Sequence, residues 1–178
     1  MKFTSKVEAA FHEISGSPEI KTHIPYLVVD NFPLMGLLTS LRFLEWVNEN
    51  PEGVISLPTG KTPEYFIKWT SHLLENWDSN KIKELRAKYG IAAMKKPSLK
   101  KLHFVQIDEF YPISSTQHNS FYNYVKKYYI GGFGLDPKNA LLINSDEIPL
   151  AEGKHFTEIF PDSKVDLSLR YREPKGHM

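Results

Sequence analysis

The chain has 178 residues, enough for one domain with a substantial core but a tight fit for two independent domains. Its 22 lysines and arginines nearly balance its 21 aspartates and glutamates, which argues against a nucleic-acid-binding surface. Cysteine is absent, so there is neither a disulfide framework nor a thiolate metal site. No apolar run approaches membrane-spanning length, and the first residues lack the apolar segment of a secretory signal. We therefore expect a cytoplasmic protein that does not act at a membrane.

One α/β domain is predicted between two less regular ends. Residues 1–19 are expected to form an irregular or short helical lead-in, which a Gly-Ser-Pro sequence at 16–18 interrupts. The domain itself spans residues 20–150. Residues 151–178 form a poorly defined tail, in which alternating apolar residues at 165–171 are typical of an edge strand.

Strand and helix patterns alternate within the domain. A β-branched apolar run at 26–29 predicts a first strand, and leucines at helical spacing over 34–44 predict the following helix. A strand at 54–57 and a helix over about 63–77 form the second unit. Short apolar strands that alternate with helices favour a parallel sheet covered on both faces. The predicted fold class is a Rossmann-like three-layer α/β sandwich with a mostly parallel sheet, incomplete within this sequence.

A polar, lysine-rich stretch at 78–100 interrupts the alternation, and we interpret it as an inserted surface excursion. The third unit follows it, with a strand at 102–107 and a helix at 120–130. Two glycines at 131–132 are expected to cap that helix. A short apolar run at 141–143 predicts a fourth strand.

The loop between the strand at 54–57 and the next helix has the composition of an anion site. Residues 57–63 read Leu-Pro-Thr-Gly-Lys-Thr-Pro. Gly60 can take a positive φ without steric cost, while Thr59 and Thr62 supply hydroxyls. A proline at the first helical position leaves the next backbone N–H groups free to face a ligand. Phosphate is the expected occupant.

Two alternatives to a sugar-phosphate cradle at 59–62 stay open. Residues 60–62 match the end of the nucleotide-binding P-loop pattern, in which Lys61 would contact the phosphates. That pattern also requires a glycine where the chain has Ile55. The second alternative is an ordinary strand-to-helix turn, since Thr-Gly and Pro are common in turns.

An acidic pair follows the strand at 102–107. Ligands bind beyond the carboxyl ends of parallel strands, so Asp108 is expected to share a crevice with the phosphate loop. Partial desolvation there would suit Asp108 to be a general base, and a turn-capping role is the alternative. Glu109 is expected to be a structural hydrogen-bond partner. His118 either lines the same crevice or faces solvent, and the histidine spacings predict no metal site.

Three segments in order resemble the superfamily of glucosamine-6-phosphate deaminase/isomerase and 6-phosphogluconolactonase. They are the loop at 57–63, Gln-Ile-Asp-Glu-Phe at 106–110 and Asn-Ser-Phe-Tyr-Asn-Tyr at 119–124. The resemblance covers roughly residues 50–145, which correspond to the first half of such an enzyme. Phe110 after the acidic pair is typical of the deaminases, whereas the lactonases usually have arginine there.

The resemblance also implies site roles. Asp108 would move a proton between C1 and C2 of the opened sugar, and residues 59–62 would hold its phosphate, without metal or organic cofactor. The chain departs from the superfamily in having Lys61 at a position usually held by a small residue and in the length of 78–100. It also lacks the glycine-rich Gly-Gly-Ile-Gly-x-Asp-Gly-His type of segment that supplies the ring-opening histidine.

We therefore interpret the chain as the N-terminal part of a cytoplasmic sugar-phosphate isomerase/deaminase that is inactive as this piece. Its expected partner is a small sugar phosphate, with no nucleic acid and no membrane, and assembly into a homo-oligomer is left open. A 6-phosphogluconolactonase-like hydrolase, a non-catalytic sugar-phosphate sensor and a P-loop-like nucleotide binder are the alternative functions.

Overall fold

Five α-helices and three short strands make up most of the regular structure in the part of the chain that the computed structural model describes, residues 3–16, 21–111 and 113–147. In chain order the elements are α1 (Lys6–Ser15), α2 (Phe32–Glu49), β1 (Val54–Ile55), α3 (Glu64–Glu75), α4 (Asn80–Lys88), β2 (His103–Val105), α5 (Phe121–Val125), a π-helix (Lys126–Gly131), a 3₁₀ turn (Pro137–Asn139), β3 (Ala140–Leu141) and a second 3₁₀ turn (Ser145–Glu147). None of these helices is long and apolar enough to cross a membrane.

The three strands form one open parallel sheet in the order β1-β2-β3. Its register pairs Ile55 with Phe104, and Phe104 with Ala140. These three residues share the face that packs on the core, and Phe104 is fully buried. The opposite face carries Val54 and Leu141, which are 65% and 69% exposed. The predicted α/β class with a parallel sheet is confirmed, and this second face of the sheet is open to solvent in the described part of the chain.

Helices α2 and α3 pack closely because glycine and aromatic residues meet between them. A Cβ atom at Gly36 would lie 2.5 Å from the Cβ of Tyr65, so only glycine allows this approach. The rings of Phe43 and Phe66 meet edge to face with centroids 5.4 Å apart. Phe133, which follows the π-helix, packs against Phe66 at 5.7 Å. This aromatic cluster joins the helices before and after the loop at 58–62 to the helix that follows β2.

The N-terminal lead-in contains a helix that is anchored to the core. Helix α1 buries Val7 and Phe11, and the buried Glu45 of α2 accepts hydrogen bonds from the Ser5 hydroxyl at 2.5 Å and the Lys6 backbone N–H at 2.8 Å. A carboxylate beside the first turn of a helix compensates N–H groups that have no partner within the helix. The tail at 151–178 and the break at residues 17 and 18 lie outside the described residues.

The predicted strand at 26–29 is not part of the sheet. Leu27 and Val29 instead pack against the core from an irregular segment. The prediction was wrong because β-branched residues favour a half-buried surface in general, and this preference does not require a strand partner.

The stretch at 78–100 is part of the core, which corrects our interpretation of it as a surface excursion. Ile82, Ile91 and Leu99 are all buried. Arg86 is buried as well, and its guanidinium donates hydrogen bonds to the carbonyls of Met94 and Trp77. The weak amphipathic pattern of this segment corresponds to helix α4, and the prediction was wrong only in placing the segment at the surface.

The helix after β2 also ends differently from the prediction. Gly132 keeps a right-handed helical φ of −77°, and the backbone reverses at Gly134, where φ is 76°. The Gly134 N–H donates to the Ile130 carbonyl at 3.1 Å. The left-handed residue that terminates this helix is therefore Gly134 rather than the glycine pair at 131–132.

Candidate functional site

The loop at 58–62 connects β1 to α3 at the carboxyl edge of the sheet. Gly60 has a φ of 88°, as predicted, and no atom within 4 Å would contact a Cβ placed there. The glycine is therefore required by backbone conformation and not by lack of space. Lys61 and Thr62 are exposed, and Thr59 is half-buried. The polar side chains of the loop are thus accessible to a ligand.

The start of α3 leaves backbone donors near this loop. Pro63 lies immediately before the helix, with φ −82° and ψ 10°, and no side chain caps the first turn. The Glu64 N–H donates to the Lys61 carbonyl at 3.2 Å, which closes the loop onto the helix. Glu64 also forms an exposed ion pair with Lys68 at 2.5 Å, so its negative charge is partly neutralised beside the helix N-terminus.

Two tyrosines from the helix after β2 hold the loop by its carbonyl groups. The Tyr124 hydroxyl donates to the Gly60 carbonyl at 2.8 Å, and the Tyr129 hydroxyl donates to the Pro58 carbonyl. Burial raises the pKa of Tyr124 to about 12 and also raises the pKa of Tyr129. Both phenols therefore stay protonated donors at neutral pH. The sequence indicated Tyr129 only as an apolar helix position and Tyr124 only as part of the motif at 119–124, so neither contact with the loop was predicted.

Asp108 lies just beyond β2, at the same edge of the sheet as the loop, because β1 and β2 are neighbouring parallel strands. The buried Gln106 fixes this turn: its side-chain amide donates to the Asp108 carbonyl at 2.8 Å and accepts from the Ile143 N–H at 3.0 Å. The Asp108 side chain is exposed, so the partial desolvation that we expected is not present in this structure.

Glu109 is a structural hydrogen-bond acceptor at the start of α5. Its carboxylate accepts hydrogen bonds from the Ser120 hydroxyl at 2.8 Å, the Phe121 N–H at 3.0 Å and the Tyr122 N–H at 2.8 Å. The Phe110 N–H is a further donor to it, at 2.9 Å. A carboxylate at a helix N-terminus satisfies unpaired N–H groups and complements the helix dipole. The acidic turn and α5 are thereby held together.

His118 and Phe110, which the sequence analysis also named, lie near the start of α5. His118 is exposed in the loop before α5. The ring of Phe110 packs against Phe121 with centroids 4.9 Å apart, so the aromatic residue after the acidic pair belongs to the contact between this turn and α5. The described residues contain no group of three or more histidine and acidic side chains that could hold a metal ion.

A cavity of about 640 Å³ borders the loop. Pro58, Thr62 and Pro63 form one wall, and the remainder is mainly apolar, with α2 contributing Met35 and Leu38 among others. Neither Asp108 nor Glu109 borders this cavity. The cavity and the acidic turn are therefore separate features near the loop, and the charged side chains that line the cavity, Glu8 and Arg42, lie on α1 and α2.

No family model and no curated protein matches the sequence. Among solved structures, the chain is similar to a monomeric glucosamine-6-phosphate deaminase of the NagB superfamily, with a TM-score of 0.54 and 18% sequence identity. The match covers 68% of this chain and 43% of the deaminase chain, so this chain spans less than half of that protein's length. The α/β fold of this chain is therefore similar to that of part of a NagB-superfamily deaminase. This agrees, at the level of the fold, with the resemblance that the three sequence motifs indicated.

Proposed function

We propose that residues 58–62 bind the phosphate of a sugar phosphate, and that the chain is the phosphate-binding part of a protein similar to glucosamine-6-phosphate deaminase/isomerase. The observation that carries this proposal is the strand-loop-helix geometry at Gly60, with its φ of 88°, next to an acidic turn on the neighbouring strand. The fold shared with a glucosamine-6-phosphate deaminase supports the choice of substrate class.

The loop offers three kinds of group to a phosphate. Thr59 and Thr62 carry hydroxyl donors, backbone N–H groups lie at the start of α3, and the exposed Lys61 carries a positive charge. Hydrogen bonds to a charged group contribute about 1.5–3 kcal/mol each, more than neutral hydrogen bonds do. Phosphate should therefore provide most of the binding free energy of a small phosphorylated sugar.

Asp108 is the proposed base in the complete reaction. A carboxylate near the bound sugar would take a proton from the carbon next to its carbonyl group and return it to the neighbouring carbon. This transfer interconverts aldose and ketose forms. The exposure of Asp108 implies that closure of the site over a bound sugar would have to exclude water before this step.

Titration of glucosamine 6-phosphate and unphosphorylated glucosamine by calorimetry tests the phosphate site. We expect the phosphorylated sugar to bind at least about tenfold more tightly, the equivalent of about 1.4 kcal/mol. Replacing Lys61 with Ala should weaken its binding about 3- to 10-fold, while Lys138→Ala, at an exposed position in a 3₁₀ turn after the π-helix, should not. Equal affinity of the unchanged chain for the two sugars would refute the phosphate site.

A non-catalytic sugar-phosphate sensor is the second candidate function. The exposed side chain of Asp108 favours it. A sensor would bind the phosphorylated sugar without turnover in any longer form of the protein. Tight Mg²⁺-dependent binding of ATP through Lys61, with no response to the sugar phosphate, would instead favour a nucleotide site.

A further inference from the structure

The orientation of two peptide groups in the loop at 58–62 is set from outside the loop. Tyr124 donates its hydroxyl hydrogen bond to the Gly60 carbonyl at 2.8 Å, and Tyr129 donates to the Pro58 carbonyl. Tyr129 is fully buried, and a buried phenol normally needs a partner for its O–H. Two of the five loop residues are thus fixed through their carbonyl oxygens by one helical segment.

Fixing these carbonyls also fixes the N–H groups that follow them. A trans peptide is planar, and its N–H points opposite to its C=O. The Gly60 carbonyl faces Tyr124, so the Lys61 N–H faces away from that tyrosine. By the same geometry, the Thr59 N–H faces away from Tyr129. The two tyrosines therefore turn two backbone donors toward the side of the loop that faces away from the helix.

The π-helix explains how one helix can supply both contacts. Residues five apart on a regular α-helix differ by about 140° around the axis, so Tyr124 and Tyr129 would face different neighbours. The i→i+5 bonding over Lys126–Gly131 widens the turn between them. Their ring centroids lie 6.0 Å apart in an edge-to-face arrangement. The irregular helix thereby places both hydroxyls on the same loop.

We propose that Tyr124 and Tyr129 are positioning residues for the anion site: they hold the loop at 58–62 with the Thr59 and Lys61 N–H groups directed at the bound phosphate. This inference rests on the proposed function of the loop and adds to it the residues that preorganise it. A preorganised loop binds more tightly because less conformational entropy is lost when the ligand binds. Neither tyrosine touches the ligand, so their effect acts through the backbone.

Phenylalanine substitutions test this role. Tyr124→Phe keeps the ring and removes the half-buried hydroxyl that reaches Gly60. Tyr128→Phe is the matched control, because Tyr128 packs beside Tyr124 with centroids 4.7 Å apart but makes no hydrogen bond to the loop in the described part of the chain. Tyr129→Phe tests the second contact. Thermal unfolding confirms that each variant folds.

Two measurements are made on each variant. Calorimetry with glucosamine 6-phosphate and with inorganic phosphate should show both ligands binding about 2- to 10-fold more weakly to Tyr124→Phe and Tyr129→Phe, the range expected for one lost hydrogen bond. Amide hydrogen exchange by NMR in the ligand-free chain should accelerate at Glu64, whose N–H donates to the Lys61 carbonyl of the loop, but not in the middle of α3. Tyr128→Phe should match the unchanged chain in both measurements.

Unchanged exchange at Glu64 and unchanged phosphate affinity in both Tyr124→Phe and Tyr129→Phe would overturn the inference. A general loss of stability with faster exchange throughout the chain would also overturn it, since that pattern marks a packing role. Failure of the proposed function has a different signature: the unchanged chain would bind glucosamine as well as its 6-phosphate. The exchange of the Glu64 amide in the ligand-free variants would still decide whether the tyrosines position the loop.

Discussion

At the residue scale, the two acids of the turn after β2 have separate roles. Glu109 has its carboxylate occupied by donors from α5, whereas the Asp108 side chain is exposed at the carboxyl edge of the sheet. Adjacent residues on an extended backbone point in opposite directions, which allows one to serve the fold and the other to face a ligand. Of the two acids, Asp108 is therefore the one that we propose as the base.

Asp108→Asn separates a catalytic from a structural role. The change keeps the size of the side chain and removes the proton acceptor. In a longer form of the protein that supplies the ring-opening segment, turnover should fall by about 10²-fold or more, with little change in substrate affinity. In the 178-residue chain, the free energy of unfolding should change by less than about 0.5 kcal/mol, because the side chain is exposed.

Chemical denaturation and steady-state kinetics of the same variant check both expectations. A large loss of stability together with normal turnover per folded molecule would assign Asp108 to a turn cap. That outcome would remove it from the proposed reaction.

At the element scale, α5 and the π-helix connect the two halves of the candidate site. Their N-terminus is held by Glu109 in the acidic turn, and Tyr124 and Tyr129 bind the phosphate loop. The position of the loop relative to Asp108 therefore depends on this helical segment as well as on the pairing of β1 with β2. A substitution of Glu109 should therefore alter the conformation of the loop at 58–62, although Glu109 makes no direct contact with it.

Glu109→Gln tests the structural role of Glu109. Glutamine keeps one acceptor oxygen and replaces the other with an NH2 group that cannot accept. Either the bonds from Ser120 and Tyr122 or those from Phe110 and Phe121 are therefore lost. We expect a loss of about 1–3 kcal/mol in the free energy of unfolding, measured by urea denaturation. Glu84→Gln, at an exposed position of α4, is the control and should change it by less than about 0.5 kcal/mol. Equal stability of the two variants would contradict the structural role of Glu109.

Some of these local structures could be predicted from the sequence and others could not. The loop at 58–62 and the turn at Asp108 were predictable because glycine, proline and acidic residues act on the backbone around them. The irregular segment at 26–29 was not, since its apolar residues pack against the core without a strand partner. The tyrosine contacts were equally hidden, because they depend on a π-helix and on residues about 64–71 positions away in the chain.

At the scale of the whole molecule, binding and turnover should be separable. The described sheet brings the loop at 58–62 and Asp108 to one edge, where we propose that a phosphorylated sugar binds. The proposed reaction also requires opening of the sugar ring, and the glycine-rich segment that supplies the histidine for this step in the similar enzymes is absent from the sequence. The match to the deaminase structure likewise covers only 43% of that chain.

We therefore expect the purified 178-residue chain to bind glucosamine 6-phosphate without measurable release of ammonia and without lactonase activity. General acid–base groups contribute about 10²–10⁴-fold each to the rate, so the loss of the ring-opening groups should bring turnover below detection. A coupled assay for ammonia, with an active deaminase as the positive control and Asp108→Asn as the background, measures this directly. Release of ammonia well above that background would show that the 178 residues hold a complete reaction site, and that a group other than the missing histidine opens the ring.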